Sequence, residues 1–453
     1  MSKRRKLLFF LWVAVSACIV LAATNFGFLD NALFSFTPNR HLLFLSTVHT
    51  LHTPPMEEDR VVQSESPPIE TTSVLAEVTG SISCKDVDAR PHQGRRKDHV
   101  VLYNYLLSEN AFACGETVTY TTHSEYEYLE NLEPLVERWR APVSLAVYSP
   151  GEDFNTSLHS ALYMKKCQSE LIRRLVTFHF VFPLDHTPSI VPPVEDVDSF
   201  FQVNCSSPPP WNTTDPSYRQ TTKGTAKQIL YPINILRNVA KESATTHYVF
   251  PTDIELYPSD NLAPMFIDMV RRSPTLLDPE PPKVFVVSIF EVKEGTEPPR
   301  RKSELVEMLG RNVAIPFHKA MCPQCHRVPK AQEWTNKASP DPEQLNVFHV
   351  AQREGNFKSW EPIFIGTRFD PPYDETLTWE GKKDKMTQMY GLCVLGYQFH
   401  ILDNAFLVHK PGIKMYTRDK WRESLVAQQN HYIATFLKSR LASIYGQKKG
   451  CTI

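Results

Sequence analysis

The chain has 453 residues and a formal net charge of −1, from 49 Lys plus Arg against 50 Asp plus Glu, so no global field favours a nucleic-acid partner. An apolar share of 42% excludes a mostly disordered chain, and 16 glycines exclude a collagen-like one. The 36 prolines exceed the usual share of about 5% and predict long irregular stretches.

Lys3, Arg4, Arg5 and Lys6 are consecutive cations, and the uncharged run that follows extends from Leu7 to Leu29. A bilayer core about 30 Å thick takes about 20 helical residues to cross. Residues 1–6 therefore read as a cytoplasmic tail and 7–29 as a transmembrane signal-anchor. The cations stay cytoplasmic, which makes a single-pass type II membrane protein with everything after Asp30 lumenal. A cleaved signal peptide is the alternative, because Ala22 and Ala23 offer small residues. Both readings send the remainder into the secretory lumen. Residues 30–95 read as a stem: Ser, Pro, Glu and Thr dominate, and such a segment cannot bury enough apolar area to offset its ordering entropy. Residues 96–453 are left as the lumenal domain.

Sequons at Asn155, Asn204 and Asn212 agree with that compartment. So do eight cysteines beyond Cys18: Cys84, Cys114, Cys167, Cys205, Cys322, Cys325, Cys393 and Cys451. An even number in an oxidising lumen predicts disulfides, with connectivity not legible from spacing.

From about Val100 strands and helices alternate. Val118–Thr122 reads as a strand, Tyr126–Arg138 as a helix, Val143–Tyr148 as a strand, and Leu158–Leu175 as a helix. The strand Val176–Phe182 is followed by a Pro-rich stretch, 183–219, which carries two sequons and reads as a glycosylated surface insertion. Then come a helix Lys227–Lys241 with Pro232 near its start, a strand His247–Phe250, a helix Asn261–Arg272 and a strand Lys283–Phe290. Repeated alternation predicts an α/β domain around a mostly parallel sheet.

The sharpest chemical signal is Asp253-Ile254-Glu255, directly after a strand. In an extended chain residues i and i+2 share a face, and open α/β sheets bind ligands beyond the carboxyl ends of their strands. Two carboxylates there suit Mn²⁺ or Mg²⁺ bridging a diphosphate; a solvated acidic loop is the alternative. Cys322-Pro-Gln-Cys325, with His318 and His326 nearby, fits a zinc site, a redox pair or a structural disulfide.

Several blocks in order resemble the matriglycan-priming β-1,4-glucuronyltransferases of the LARGE-related glycosyltransferase family. They are Tyr231–Ala240, the run from His247 through Glu255 to Ser259, Phe290-Glu-Val292, Met321–Cys325, Trp360-Glu-Pro362, Tyr373-Asp-Glu375, Leu395–Phe399 and Ala405–Lys410. The resemblance spans roughly 100 to 451. It implies a GT-A-type nucleotide-sugar-binding fold in the Golgi membrane. It also implies metal-dependent transfer, with inversion, of a sugar, glucuronate in the first instance, from a UDP-sugar to a glycan or glycoprotein acceptor. The metal would be Mn²⁺ (or Mg²⁺), held by Asp253, Glu255 and His409, and partner Golgi glycosyltransferases are expected. The family's acidic motif is usually Asp-x-Asp, and Glu255 departs from it. Arg237, Asn238, Lys385 and Lys410 are implied donor-binding residues, and Thr121 and Thr122 border the expected uridine position. Asp384, beside Lys385, stands where relatives often carry Asn. Asp374 and Glu361 fall on matched positions as candidates for the catalytic base, Asp374 ahead. The lumenal setting and the resemblance favour a disulfide at Cys322–Cys325. Two alternatives stay open: a UDP-N-acetylglucosamine-dependent β-1,3-N-acetylglucosaminyltransferase, and a lumenal glycan-binding protein with a decayed site.

Overall fold

The computed structural model describes residues 81–212, 229–337, 341–377, 381–415 and 418–453, all within a compact unit that begins at Val74. The tail, the 7–29 run and most of the stem lie outside the described residues. Among the described residues, no helix is long and apolar enough to cross a membrane.

The strands are β1 (His92–Arg96), β2 (His99–Leu106), β3 (Val118–Ser124), β4 (Val143–Tyr148), β5 (Val176–Pro183), β6 (Tyr248–Pro251), β7 (Leu256–Pro258), β8 (Lys283–Val292), β9 (Ala314–Pro316), β10 (Val347–Ala351), β11 (Ile363–Thr367) and β12 (Gln398–His409). They form one sheet in the order β1-β2-β5-β4-β3-β6-β11-β8-β12-β10, with β7 on β12 and β9 on β8. Strands β5, β4, β3 and β6 run parallel to one another, as do β8 and β12. Between the two groups β11 runs antiparallel to both neighbours. The remaining pairings are antiparallel, so the sheet is mixed rather than mostly parallel; only the groups β5-β4-β3-β6 and β8-β12 match the expectation. Of the strands that the sequence pattern does not predict, β1 is polar (HQGRR) and β7 and β9 have three residues each, whereas β2, β11 and β12 are largely buried apolar runs.

One face of the sheet carries a continuous core, from Tyr105 and Phe180 through Tyr120, Trp139 and Phe250 to Phe285 and Leu407. The opposite face is covered in two patches. Ile235, Leu236, Val239 and Ala240 of the Ile233–Glu242 helix pack on β4 and β5, while Trp334, Trp360, Met389 and Leu437 pack on β8 and β12. The cleft described below lies between these patches.

Several expected boundaries move. The helix expected over Leu158–Leu175 is two helices, Asp153–Cys167 and Glu170–Leu175, because Ser169 caps the second: its Oγ accepts from Leu171 N at 3.2 Å. The helix after Pro232 starts at Ile233, and residues 213–228 lie outside the described residues. The boundary at 96 moves upstream, because β1 pairs with β2 and a disulfide joins Cys84 to Cys114.

The insertion is fastened down by Cys167–Cys205 and by the Tyr163–Trp211 ring contact at 5.5 Å. All eight cysteines pair, the others as Cys322–Cys325 and Cys393–Cys451. Asn204 and Asn212 are exposed. Asn155 lies within a helix, half-buried, with its Oδ1 enclosed and Ser157 of its sequon fully buried.

Candidate active site

The Ile233–Glu242 helix builds one wall of the site. Its apolar face is buried on the sheet, and its polar stripe Asn234, Arg237, Asn238 and Lys241 (i, i+3, i+4, i+7) is buried as well. Buried polar groups need partners, and the segment from Asp370 to Asp384 supplies them. Asn234 Nδ2 donates to Asp374 O at 2.9 Å and to Asp384 O at 3.2 Å. Asn238 Nδ2 donates to Tyr373 O at 2.8 Å, and its Oδ1 accepts from Tyr373 N at 3.0 Å. Lys241 Nζ donates to Asp370 O. Asn238 Nδ2 also donates to Glu375 Oε1 at 2.9 Å, so its amide is taken up by the Tyr373–Glu375 stretch.

A narrow cleft, with enclosed space of only about 10 Å³, opens at the carboxyl end of β6, lined by Arg237, Thr252, Asp253, Tyr373, Lys385 and Met389 among others. Arg237 stacks on the Tyr373 ring at 5.3 Å and donates to Asp384 Oδ2 at 2.5 Å; its NH2 lies 3.6 Å from Asp253 Oδ1. Burial alone would lower its pKa, but Asp384 and Asp253 outweigh that and raise it.

Asp253 faces three cationic or hydrogen-bonding groups: Lys385 Nζ at 3.4 Å, His123 Nε2 at 3.5 Å and Arg237. Burial would raise its pKa; Lys385, His123 and Arg237 instead hold it well below the usual carboxylate range. Burial lowers the His123 pKa, and its Nδ1 meets Tyr231 Oη at 2.7 Å.

Asp253 to Leu256 is a turn, with Leu256 N donating to Asp253 O at 3.1 Å. The extended geometry expected there does not form, and the two carboxylates go to different partners. Glu255 Oε2 lies 3.5 Å from His409 Nε2 and 3.7 Å from Lys414 Nζ. His409 lowers the Glu255 pKa against burial, aided by Lys414. Lys410 N donates to Glu255 O at 2.8 Å, which fastens the end of β12 to the acidic turn. The Lys410 side chain turns to Glu130 at 2.5 Å.

Asp253, Glu255 and His409 are the side chains that would take a divalent ion. His409 Nδ1 donates to Lys410 O at 2.8 Å, and its buried Nε2 lies 3.5 Å from Glu255 Oε2 without a well-formed hydrogen bond. Asp253 Oδ1 is enclosed, with His123 Nε2 at 3.5 Å and Arg237 Nη2 at 3.6 Å. An imidazole and two carboxylates are a fitting oxygen–nitrogen donor set. Among the described residues, no three His, Cys, Asp or Glu side chains are gathered closely enough to hold one ion. Each carboxylate is answered by a lysine instead.

The two candidate bases differ sharply. Asp374 is committed: Oδ1 accepts from Thr376 N at 2.9 Å and from its Oγ1 at 2.5 Å, and Oδ2 pairs with Arg440. Burial is overcome by these bonds and its pKa is lowered. Glu361 has no such ion pair. Burial, then the nearby Asp384 charge, raise its pKa against the pull of Lys385 and Arg237.

Thr121 and Thr122 sit near the end of β3 with enclosed hydroxyls that lack partners; neither lines the cleft. Asn234, His123 and Lys414 were not singled out by the sequence. Asn234 carries the same helical phase as Arg237 and was findable; the other two give no local signal.

Comparison with known proteins matches this architecture to sugar transfer. Residues 117–446 match the family model described as glycosyl-transferase for dystroglycan. Beta-1,4-glucuronyltransferase 1 of Danio rerio is 30% identical over 328 residues, 72% of this chain and 73% of that protein. The Homo sapiens protein of that name is 25% identical over 332 residues, 72% and 76% of the two chains. Xylosyl- and glucuronyltransferase LARGE2s of Danio rerio is 23% identical over 338 residues, 74% of this chain and 36% of that protein. The chain is a glycosyltransferase. It belongs to the family of glycosyl-transferases for dystroglycan.

Proposed function

We propose that the chain transfers glucuronate from a UDP-sugar to a glycan or glycoprotein acceptor, with inversion, on a GT-A-type fold. The observation that carries this reading is Asp253, held ionised in the cleft by Lys385, His123 and Arg237, while Glu361, next in the chain to the cleft-lining Pro362, has its pKa raised by burial. Such a divergence separates a charge-binding acid from a proton-accepting one. The acceptor hydroxyl attacks the anomeric carbon as the bond to UDP breaks. The electron pair leaves with UDP, and the proton passes to the Glu361 carboxylate. Lys385 and Arg237 face the cleft where the diphosphate charge would lie. Mn²⁺ or Mg²⁺ would need Asp253, Glu255 and His409 drawn closer together than they stand, displacing Lys385 and Lys414, and would then supply neutralisation of the departing charge. The relatives named for glucuronate transfer support this donor.

A second donor, UDP-N-acetylglucosamine, is favoured by one contact: Asp384 already neutralises Arg237, so that cation is not free for a sugar carboxylate. The described cysteines form four disulfides, consistent with an oxidising lumen. With the N-terminal cations and apolar run, they support a type II Golgi membrane placement among partner glycosyltransferases.

The test is a panel of UDP-sugars with UDP release as the readout. Turnover of UDP-glucuronate is expected, abolished by chelation and in Asp253→Ala. Turnover of UDP-N-acetylglucosamine alone would establish the second donor. No release from any donor, with glycan binding retained, would establish a decayed lectin-like site.

A further inference from the structure

Glu361 sits between Trp360 and Pro362, and its backbone is held from several sides. Its N–H donates to Cys325 O at 2.8 Å. Its carbonyl faces His326 Nδ1 at 2.9 Å; a carbonyl only accepts, so Nδ1 carries the proton. Burial pushes the His326 pKa down to about 3, so the ring is neutral and that proton is its only one. On the preceding peptide Arg353 Nε donates to Trp360 O at 2.9 Å, and the following Pro362 has a fixed φ.

Cys325 and His326 belong to a tightly closed loop. Met321 N and Cys322 N donate to His318 O at 2.9 and 2.8 Å, Cys325 N donates to Cys322 O at 3.1 Å, and the Cys322–Cys325 disulfide closes the ring. At the loop's other end the Phe317 ring stacks on His409 with centroids 5.7 Å apart. One short segment therefore touches both the imidazole at the end of β12 and the backbone of the candidate base.

We propose that the disulfide-closed loop Cys322–Cys325, through the Cys325 carbonyl and the His326 imidazole, positions the Glu361 carboxylate for proton transfer. His326 is a positioning residue and touches no reacting atom. The inference rests on Glu361 being the base.

Two near-isosteric variants in the full chain test it. His326→Asn keeps an amide nitrogen where Nδ1 stands; His326→Gln places it where Nε2 stands. His326→Asn is expected to retain kcat within about threefold, and His326→Gln to lose about tenfold or more with donor KM within about twofold, since small misplacements are costly in rate. The double variant Cys322→Ala/Cys325→Ala is expected to follow His326→Gln. Equal losses in the two histidine variants, losses in KM rather than kcat, or an unchanged kcat in the cysteine variant would overturn the proposal. Glu361→Gln separates the premises. If it keeps full kcat, the base assignment fails and the positioning role with it. If it abolishes turnover while His326→Gln turns over normally, the base stands and only the positioning role falls.

Discussion

Two carboxylates with opposite environments make opposite predictions. Glu361 acts as a base only when ionised, and its pKa is raised by burial. The acid limb of the kcat–pH profile should therefore lie above the ordinary carboxylate value of about 4.3, with activity lost as pH falls through it. Glu361→Gln should lower kcat by about 10² or more and remove that limb. It should also raise Tm at neutral pH, because a raised carboxyl pKa means the folded state disfavours the charge. Asp374 has a lowered pKa, so it contributes stability above its unfolded value of about 3.9, lost as pH falls through the folded one. Asp374→Asn should cost about 1–3 kcal/mol at neutral pH, shrinking in acid, as read by denaturant titration at two pH values.

At the scale of elements, β11 is followed by a turn in which Thr367 N donates to Asp370 Oδ2 at 2.7 Å and Lys241 reaches Asp370 O. A Cβ at Gly366 would overlap Asp370 Oδ2, so the Asp370 carboxylate would have to leave its bond to Thr367 N. Gly366→Ala should destabilise by about 1–3 kcal/mol and loosen the start of the segment that the Ile233–Glu242 helix holds, raising donor KM. The sequence made β3, β4, β5 and β8 legible, because each is a run of β-branched and aromatic residues. It hid β1, whose side chains are polar and mostly exposed, and β7 and β9, whose three residues carry no period. In the site, Asp253 and Arg237 were legible by residue type. The Asp384–Arg237 pair, 147 residues apart, and the turn that separates Asp253 from Glu255 were not, because both depend on tertiary packing.

At the scale of the molecule, Cys393–Cys451 closes a separation of 58 residues and anchors the last described segment beside the second core patch. Cys393→Ser/Cys451→Ser should cost about 4 kcal/mol in a chain-entropy account, measured as a shift of the unfolding midpoint. The two halves of the sheet meet only along β11. Its ladder to β6 has two paired positions, Gly366 with Val249 and Thr367 with Tyr248, while its ladder to β8 has three. Asp253 follows β6 on one side of that seam, and His409 ends β12 on the other. Deuterium should accordingly enter the amides of this junction sooner than those of β4 or β8. A nucleotide sugar that spans the seam should slow that entry, as a rivet stiffens the joint between two plates.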